Sequence, residues 1–358
     1  MIPKNIEKKD VLAALLQIDQ RGVPKSKLSR IYFVRYNGKY YPPKYVISLA
    51  NIMANGSDAP SVEYSGGAET NNFLVRLGFE IVPSQERIML DPQIPKIVTV
   101  TLESNLAEHP KFSNRLKMLR AVIEIYRNSN VILFPAGFLY FRKQKSERIR
   151  EAAKAVCELL EYYSSSAVVC FGIDCDDGKD QLAVAVNNND ILAIGRKFYP
   201  TADEEGVIRK ADKYDSEEMG YTRFFEINGK RFYIAVCYDG FGIRHCGIQN
   251  PGVDAVLILA HQFRNRGEGP SGDVDFARKG FAGASQHWGC PVFGTAVFFN
   301  RKIPENWPTG VMWAGSAKSV KNFKYQDNTL HWNIKNVVQS GYESALCSEY
   351  FINNVKAK

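Results

Sequence analysis

From residue 96 onward, short β-branched apolar segments alternate with amphipathic segments of helical period. Ile97–Leu102 and Val131–Phe134 are predicted strands, and Arg115–Tyr126 and Glu147–Tyr162 are predicted helices. Further strands, some in hairpin-like pairs, are predicted at Ala167–Ile173, Leu182–Val186, Ile191–Ile194, Phe224–Asn228, Arg231–Cys237, Asp254–Ala260 and Val292–Phe298. This alternation predicts a layered α/β fold with a mixed sheet, because helices must cover the apolar faces of the sheet.

Composition narrows the class of protein. With 358 residues, of which 45% are hydrophobic and 23% charged, the chain has ordinary globular composition and enough length for a sizeable core. No apolar run approaches the ~18 residues of a membrane span, and the N-terminus lacks the apolar core of a signal peptide. Seven scattered cysteines indicate reduced thiols, and five histidines lack ligand spacing. We therefore expect a cytoplasmic protein with no membrane contact, no metal and no cofactor.

The first 85 residues are predicted to form a separate small α+β module. Helices are predicted at Val11–Ile18, Tyr45–Ala54 and Thr70–Leu77, with a strand at Ile31–Val34. Residues 86–95 have the polar, proline-bounded composition of a linker, and residues 96–358 form the large α/β domain.

Positive charge is concentrated at the front of this module. Residues 1–50 carry ten Lys and Arg against three acids, and residues 51–90 carry two against five. Lys39 and Lys44 are interleaved with tyrosines, a pattern suited to phosphate contact and base stacking, which makes DNA or RNA a candidate partner. The alternative is a tyrosine-rich turn on which lysine stems cover apolar surface.

Cys237 is the one cysteine whose position suggests chemistry. It ends the apolar strand Arg231–Cys237 and is followed by polar turn residues, where α/β folds open into a crevice. A thiolate is strongly nucleophilic but needs a nearby cation or base. The alternative is a buried cysteine that only fills space. Cys246 is interpreted as structural.

An ordered series of motifs strengthens the catalytic interpretation. The segment Phe232–Asp239 resembles the nucleophile motif of the nitrilase superfamily, the carbon–nitrogen hydrolases. Over about residues 96–330 other segments resemble that family's motifs in the same order: Gly195–Pro200 followed by Glu204 and Glu205, Val256–His261, Ala277–Trp288, Val292–Asn300 and Trp313–Ser316. The resemblance implies an αββα sandwich with mixed sheets.

The resemblance also implies roles for individual residues. Cys237 would be the nucleophile that forms an acyl intermediate, Lys197 the cation beside the developing oxyanion, and Glu205, with Glu204 as its rival, the orienting acid. The pocket residues would be Ala136, Phe138, Tyr238, Asp239 and His261. The implied substrate is a non-peptide amide or nitrile, and the implied assembly is a homodimer.

One departure from the family pattern concerns the general base. The family has a strand ending in Pro-Glu, whereas here Pro135 is followed by Ala136 and Gly137. Alanine cannot move a proton, and a positioned base is typically worth ~10²–10⁴ in rate. Either Glu205, Glu204 or a bound group replaces it, or hydrolysis is weak, or the chain is a binding or sensor protein with a nucleic-acid-associated head, in a role such as host defence.

The N-terminal module has a resemblance of its own. The segments Asn37–Val46, Tyr64–Thr70 and Leu77–Ile81 resemble the small head module of some modification-dependent HNH restriction nucleases, over roughly residues 8–83. This resemblance implies association with nucleic acid. Nuclease metal ligands are absent from the sequence of the module, so DNA cleavage is not predicted.

Overall fold

The computed structural model divides the chain into two compact units, Met1–Pro92 and Gln93–Lys358. We call them the N-terminal unit and the C-terminal unit. The structure describes residues 2–29, 31–37, 39–56, 67–83, 95–105, 111–142, 146–175, 179–263, 272–305, 307–313, 334–340 and 343–352. The predicted linker 86–95 lies outside these residues except for Pro95.

Three α-helices, a short 3-10 helix (Lys25–Lys27) and a three-stranded sheet form the described part of the N-terminal unit. The elements are α1 (Lys8–Arg21), β1 (Tyr32–Tyr36), β2 (Lys39–Tyr41), α2 (Pro43–Asn55), α3 (Ala68–Arg76) and β3 (Glu80–Pro83). β1 pairs antiparallel with both β2 and β3. Pro43 begins α2, where its missing N–H costs nothing, and Gly56 ends that helix at a φ of 70°, in the left-handed region that glycine adopts easily. Val11, Leu15 and Val46 belong to its buried core.

The C-terminal unit alternates strands and helices as its sequence pattern predicts. Its elements are β4 (Lys96–Ser104), α4 (Phe112–Tyr126), β5 (Val131–Leu133), β6 (Leu139–Phe141), α5 (Ser146–Tyr162), β7 (Val168–Cys175), β8 (Asp180–Val186), β9 (Ile191–Arg196), β10 (Phe224–Ile227), β11 (Lys230–Val236), α6 (Asp239–His245), β12 (Ala255–Phe263), α7 (Asp273–Asp275), a π-helical segment (Phe276–Ala282), α8 (Gly283–Trp288), β13 (Val292–Phe299), β14 (Gly310–Val311), β15 (Ile334–Ser340) and β16 (Glu343–Phe351).

The described strands of this unit hydrogen-bond into one mixed sheet of thirteen strands. Its main path runs β10-β11-β12-β13-β4-β5-β7-β8-β9, with β6, β14, β15 and β16 off the path. β4 is the branch point: β16 pairs antiparallel along its whole length, β5 pairs parallel with its first residues, and β13 pairs parallel with its last. One branch therefore carries β10–β13 and the other carries β5 and β7–β9.

The two branches face each other, and helices cover their outer faces. Alternate residues of β5, β7 and β8, among them Leu133 and Ala183, share a buried cluster with Val236 of β11. The residues between them, such as Ile132 and Val184, pack with helices α4 and α5 in a second cluster. Helix α6, the π-helical segment and α8 cover the outer face of β11–β13. The predicted αββα sandwich with mixed sheets, plus a small α+β module, is confirmed.

Two elements differ from the sequence-based prediction. Strand β16 lies beyond Val292–Phe298, the last strand predicted from the sequence, yet it is nine residues long and pairs with every residue of β4. Helix α6, directly after Cys237, was not expected either. Across the described residues, no helix is both long and apolar enough to cross a bilayer.

Candidate active site

Cys237 lies in a sharp turn between a buried strand and a helix. It follows β11 directly, and α6 begins two residues later. Its φ is 49°, an uncommon value for a residue with a Cβ, and its N–H donates to the carbonyl oxygen of Leu259 at 2.7 Å. Only 8% of the residue is exposed. Such strained strand-to-helix turns present nucleophiles in α/β enzymes, so the geometry marks Cys237 as a candidate nucleophile.

Asp239 holds this turn against the segment that carries Lys197. Its Oδ1 accepts the N–H groups of Phe198 at 2.8 Å and Tyr199 at 3.0 Å. Its Oδ2 accepts the N–H of Val236 at 3.0 Å and Nη1 of Arg223 at 2.8 Å. Asp239 and Arg223 are fully buried. Both carboxylate oxygens are thus used by N–H donors, which indicates that Asp239 positions the turn.

Lys197 is a fully buried ammonium group beside the turn. It follows β9 directly, and its Nζ donates to Oε1 of Gln181 at 2.9 Å and to both oxygens of Glu204 at 2.7 and 2.5 Å. The same nitrogen lies 5.9 Å from the centroid of the Tyr238 ring. Its position is therefore set by a carboxylate, an amide and an aromatic face.

The structure separates the two neighbouring glutamates that the sequence left as rivals. Burial raises the pKa of Glu204, but its pairing with Lys197 and its hydrogen bonds lower that pKa overall to about 2. The Glu205 side chain is 56% exposed and pairs with Lys210 at 2.5 Å. Glu204 is thus the acid in contact with Lys197, and Glu205 is a surface residue.

The charges of two cationic groups act on the thiol of Cys237. Burial raises its pKa, whereas the charges of Lys197 and His261 and a hydrogen bond with the His261 side chain lower it, and the net pKa is below the ordinary value. A lowered pKa enriches the thiolate, which is the nucleophilic form.

His261 and Asp174 form a pair that the sequence analysis did not propose. His261 lies near the end of β12 and Asp174 near the end of β7, and Nε2 of His261 is 3.1 Å from Oδ1 of Asp174. Burial lowers the pKa of the imidazole, but Asp174 and Cys237 raise it overall to about 10. His261 is therefore hydrogen-bonded to a carboxylate, and the imidazole and the Cys237 thiol shift each other's pKa.

Ala136, at the position where a general base was expected, lies next to the pair of His261 and Asp174. Its N–H donates to the carbonyl oxygen of Ala260 at 3.1 Å, one residue before His261. Gly137 has a φ of +60°, and a Cβ there would lie 2.8 Å from Oδ2 of Asp174. The Ala136–Gly137 turn thus packs directly against the carboxylate that binds His261.

The remaining predicted pocket residues have different surroundings. The Tyr238 ring stacks on that of Phe241, with centroids 4.5 Å apart and planes at 6°. Phe138 is fully buried against Phe134 and beneath the guanidinium of Arg115, in the cluster that packs on α4 and α5. Of the predicted site residues, the structure thus groups Cys237, Lys197, Glu204, Ala136, Tyr238, Asp239 and His261, and it separates Glu205 and Phe138 from them.

Three contacts of the candidate site were not predicted from the sequence. Asp174, Gln181 and Arg223 each bind a site residue through a side chain that comes from a different strand or loop. Asp174 alone has a local signal, since it is a carboxylate near the end of an otherwise apolar strand. Among the described residues no group of three or more His, Cys, Asp or Glu could hold a metal ion. Ala314–Ser316 of the last family-like motif lie outside the described residues.

The two lysines proposed for nucleic-acid contact differ in environment. Lys39 pairs with Asp19 at 2.9 Å. Lys44, in the first turn of α2, lines a cavity of about 410 Å³ together with Lys27, Tyr32 and Tyr45. No acidic side chain belongs to the described lining of this cavity.

A protein-family model matches the N-terminal part of the chain. Residues 4–83 match the ScoMcrA-like, N-terminal head domain. The match covers the N-terminal unit apart from its ends and agrees with the predicted resemblance to a head module. No curated protein matches the chain.

Solved structures with similarity to the chain cover more than half of it. One is a mutant of the Nesterenkonia AN1 amidase from the nitrilase superfamily, with 10% identity, a TM-score of 0.42, and coverage of 57% of this chain and 76% of that one. The amidase from Nesterenkonia sp. has 14% identity, a TM-score of 0.39 and the same coverages. The glutamine-dependent NAD(+) synthetase from Cytophaga hutchinsonii has 12% identity and a TM-score of 0.42, with 59% of this chain and 37% of that one covered.

Proposed function

We propose that the C-terminal unit is a thiol hydrolase that cleaves a non-peptide carbon–nitrogen bond, in an amide or a nitrile, through an acyl intermediate on Cys237. The observation that carries the proposal is the buried thiol in a left-handed strand-to-helix turn, facing the charges of Lys197 and His261. A buried cysteine with a purely structural role would have a raised pKa, as burial alone gives Cys170 and as burial together with the charge of Asp254 gives Cys290. Two cations beside one thiol fit a nucleophile instead.

The arrangement supports acyl transfer in two stages. The Cys237 thiolate attacks the carbonyl carbon of an amide, a carbon–sulfur bond forms, and the carbonyl electron pair moves to oxygen. The Lys197 ammonium stabilises that negative charge, and Glu204 keeps Lys197 in place. The carbon–nitrogen bond then breaks as the nitrogen takes up a proton and leaves as an amine or ammonia. Water cleaves the remaining thioester to the acid, and the electron pair of the carbon–sulfur bond returns to sulfur as the free thiolate.

Trapping the acyl intermediate tests this proposal. We expect the full chain, incubated with a panel of small amides and nitriles and quenched with acid, to carry an acyl adduct on the Cys237 peptide in mass spectrometry. Cys237→Ala should lose the adduct and reduce release of amine or ammonia by about 10³-fold or more. Cys246→Ala, at an exposed cysteine, is the matched control and should retain both. The proposal fails if no panel member gives an adduct or product release.

Nucleic-acid binding by the N-terminal unit is the second candidate function. It is favoured by the cavity beside Lys44, which has two lysines and two tyrosines but no acid in its described lining. Lysine ammonium groups bind phosphates, and tyrosine rings stack on bases. If the C-terminal unit proves inactive, the chain is better described as a binding or sensor protein; if both functions hold, the N-terminal unit would deliver the enzyme to a target.

Salt-dependent binding tests this second function. We expect the full chain to bind fluorescent single-stranded or duplex DNA or RNA at low salt. Lys44→Ala should weaken binding and reduce the slope of log affinity against log salt by about one phosphate contact. Lys210→Ala makes the same charge change at a surface pair with Glu205 and should have little effect. Absence of binding at low salt, or equal losses for the two variants, would exclude the role of Lys44.

A further inference from the structure

Among the residues that the structure describes, no carboxylate is free in the place where a general base is expected. Ala136 occupies that position and carries no titratable group. Glu204 is occupied, since its oxygens accept hydrogen bonds from Lys197, Gln181 and the N–H of Thr201. The oxygens of Asp239 accept from four N–H donors. The proton carrier therefore has to be sought elsewhere around the thiol.

We propose that His261, oriented by Asp174, is the proton carrier of the site. It takes the place of the general-base glutamate that was expected at position 136, where this chain has Ala136. The catalytic part of this inference rests on the proposed hydrolase function. Asp174 fixes one ring nitrogen of His261 at 3.1 Å, and the imidazole also interacts with the thiol of Cys237. A nucleophile whose base is in turn oriented by a third group is the general logic of a catalytic triad.

The local backbone supports the same assignment. β11 and β12 run parallel, with Val236 opposite Leu259, and the N–H of Cys237 binds the Leu259 carbonyl oxygen. Cys237 and His261 therefore emerge together from the ends of adjacent strands. The absence of a side chain on Gly137 leaves room for Asp174, whose Oδ2 would lie 2.8 Å from a Cβ there.

The charges around the thiol fit an ion pair of thiolate and imidazolium. Cys237 faces Lys197 and His261, His261 faces Asp174 and Cys237, and Lys197 is neutralised by Glu204. The raised pKa of the imidazole, about 10, keeps His261 protonated at neutral pH, and the lowered pKa of the Cys237 thiol favours the thiolate beside it. Asp174 thus acts through His261 and is a positioning residue.

Each proton has a defined donor and acceptor in this scheme. After the thiolate adds to an amide carbonyl, the imidazolium of His261 gives its proton to the leaving nitrogen as the carbon–nitrogen bond breaks. The neutral imidazole then takes a proton from water as its oxygen attacks the thioester. The carbon–sulfur bond breaks, the electron pair returns to sulfur, and the thiolate–imidazolium pair is restored with one carboxylic acid and one amine formed.

Thiolate titration tests the inference without requiring a substrate. The ultraviolet absorbance of the Cys237 thiolate, taken as the difference from Cys237→Ala, should appear at a higher pH in His261→Gln. Since an opposite charge nearby typically shifts a pKa by about 1–3 units, we expect the midpoint of the thiolate titration to rise by about 1–3 pH units. His245→Gln, at an exposed histidine that hydrogen-bonds Tyr199, is the matched control and should leave the titration unchanged.

Asp174→Asn tests separately whether Asp174 acts by positioning His261. It removes the charge that raises the imidazole pKa, so the alkaline fall of hydrolysis should move to lower pH while the fold persists. If His261→Gln does not fold, this variant carries the test alone. An unchanged thiolate titration in His261→Gln, or an unchanged alkaline limit in Asp174→Asn, would overturn the inference. A His261-dependent thiolate with no turnover of any substrate would uphold the ion pair and reject the proposed hydrolase.

Discussion

Glu204→Gln is expected to lower the free energy of unfolding by about 3–5 kcal/mol, the typical cost of removing one partner of a buried ion pair. The substitution leaves the Lys197 ammonium, which has no exposed surface, facing a neutral amide. Lys197 would also lose the contact that holds it beside Cys237, so acyl transfer should fall as well. Urea denaturation followed by circular dichroism measures the first effect.

Glu205→Gln is the matched control because it makes the same chemical change one residue further along. Its carboxylate is exposed and pairs with Lys210, so the expected change is only about 0–1 kcal/mol. The stability contribution of Glu204 also depends on pH. The folded pKa of Glu204 is about 2, against an ordinary value of 4.5, so its contribution exists above pH 4.5 and is lost as pH falls toward 2. Equal stability losses in the two variants would contradict the assignment of Glu204.

Asp239→Asn is expected to cost a similar amount, about 3–5 kcal/mol of unfolding free energy. Both oxygens of Asp239 accept hydrogen bonds, and an asparagine NH2 group would face N–H donors at one of them. The change also removes the counter-charge of Arg223, which is fully buried. Because Asp239 joins the Cys237 turn to the Lys197 segment, we expect loss of acyl transfer together with the loss of stability.

Asp275→Asn is the control for this second variant. Asp275 is 45% exposed and pairs with Lys279 one helical turn away, a contact worth about 0.3–0.5 kcal/mol. Urea midpoints that fall equally for Asp239→Asn and Asp275→Asn would show that the buried network around Asp239 contributes no more than a surface pair.

Local patterns predicted most elements of the fold. The strand predicted at Val292–Phe298 is β13, and the helix predicted at Glu147–Tyr162 is α5. Both have strong apolar patterns of the right period. Strand β16 was not predicted because its sequence mixes small, polar and apolar residues without a clear period. Its partner β4 lies more than two hundred residues earlier in the chain.

Helix α6 shows packing overriding local propensity. Gly240 and Gly242 lower the helical propensity of this segment, which is why its sequence does not indicate a helix. In the fold these glycines are required, since a Cβ on Gly240 would lie 2.8 Å from Cδ1 of Ile258 and one on Gly242 would lie 2.6 Å from Cβ of Tyr199. These close contacts of Gly240 with Ile258 and of Gly242 with Tyr199 arise only when the helix packs against its neighbours in the folded unit.

By itself, the sequence determined the α/β alternation, the separate basic module and Cys237 as a candidate for chemistry. Each of these depends on residue type and short-range spacing, which record burial and local backbone preference. The candidate role of Lys197 came from the resemblance of its motif to a known family. Only the tertiary structure decided which of two adjacent glutamates binds Lys197, and only it brought His261 to Asp174, 87 residues earlier in the chain. Such contacts depend on how distant strands pair and stack, and spacing along the chain does not specify that geometry.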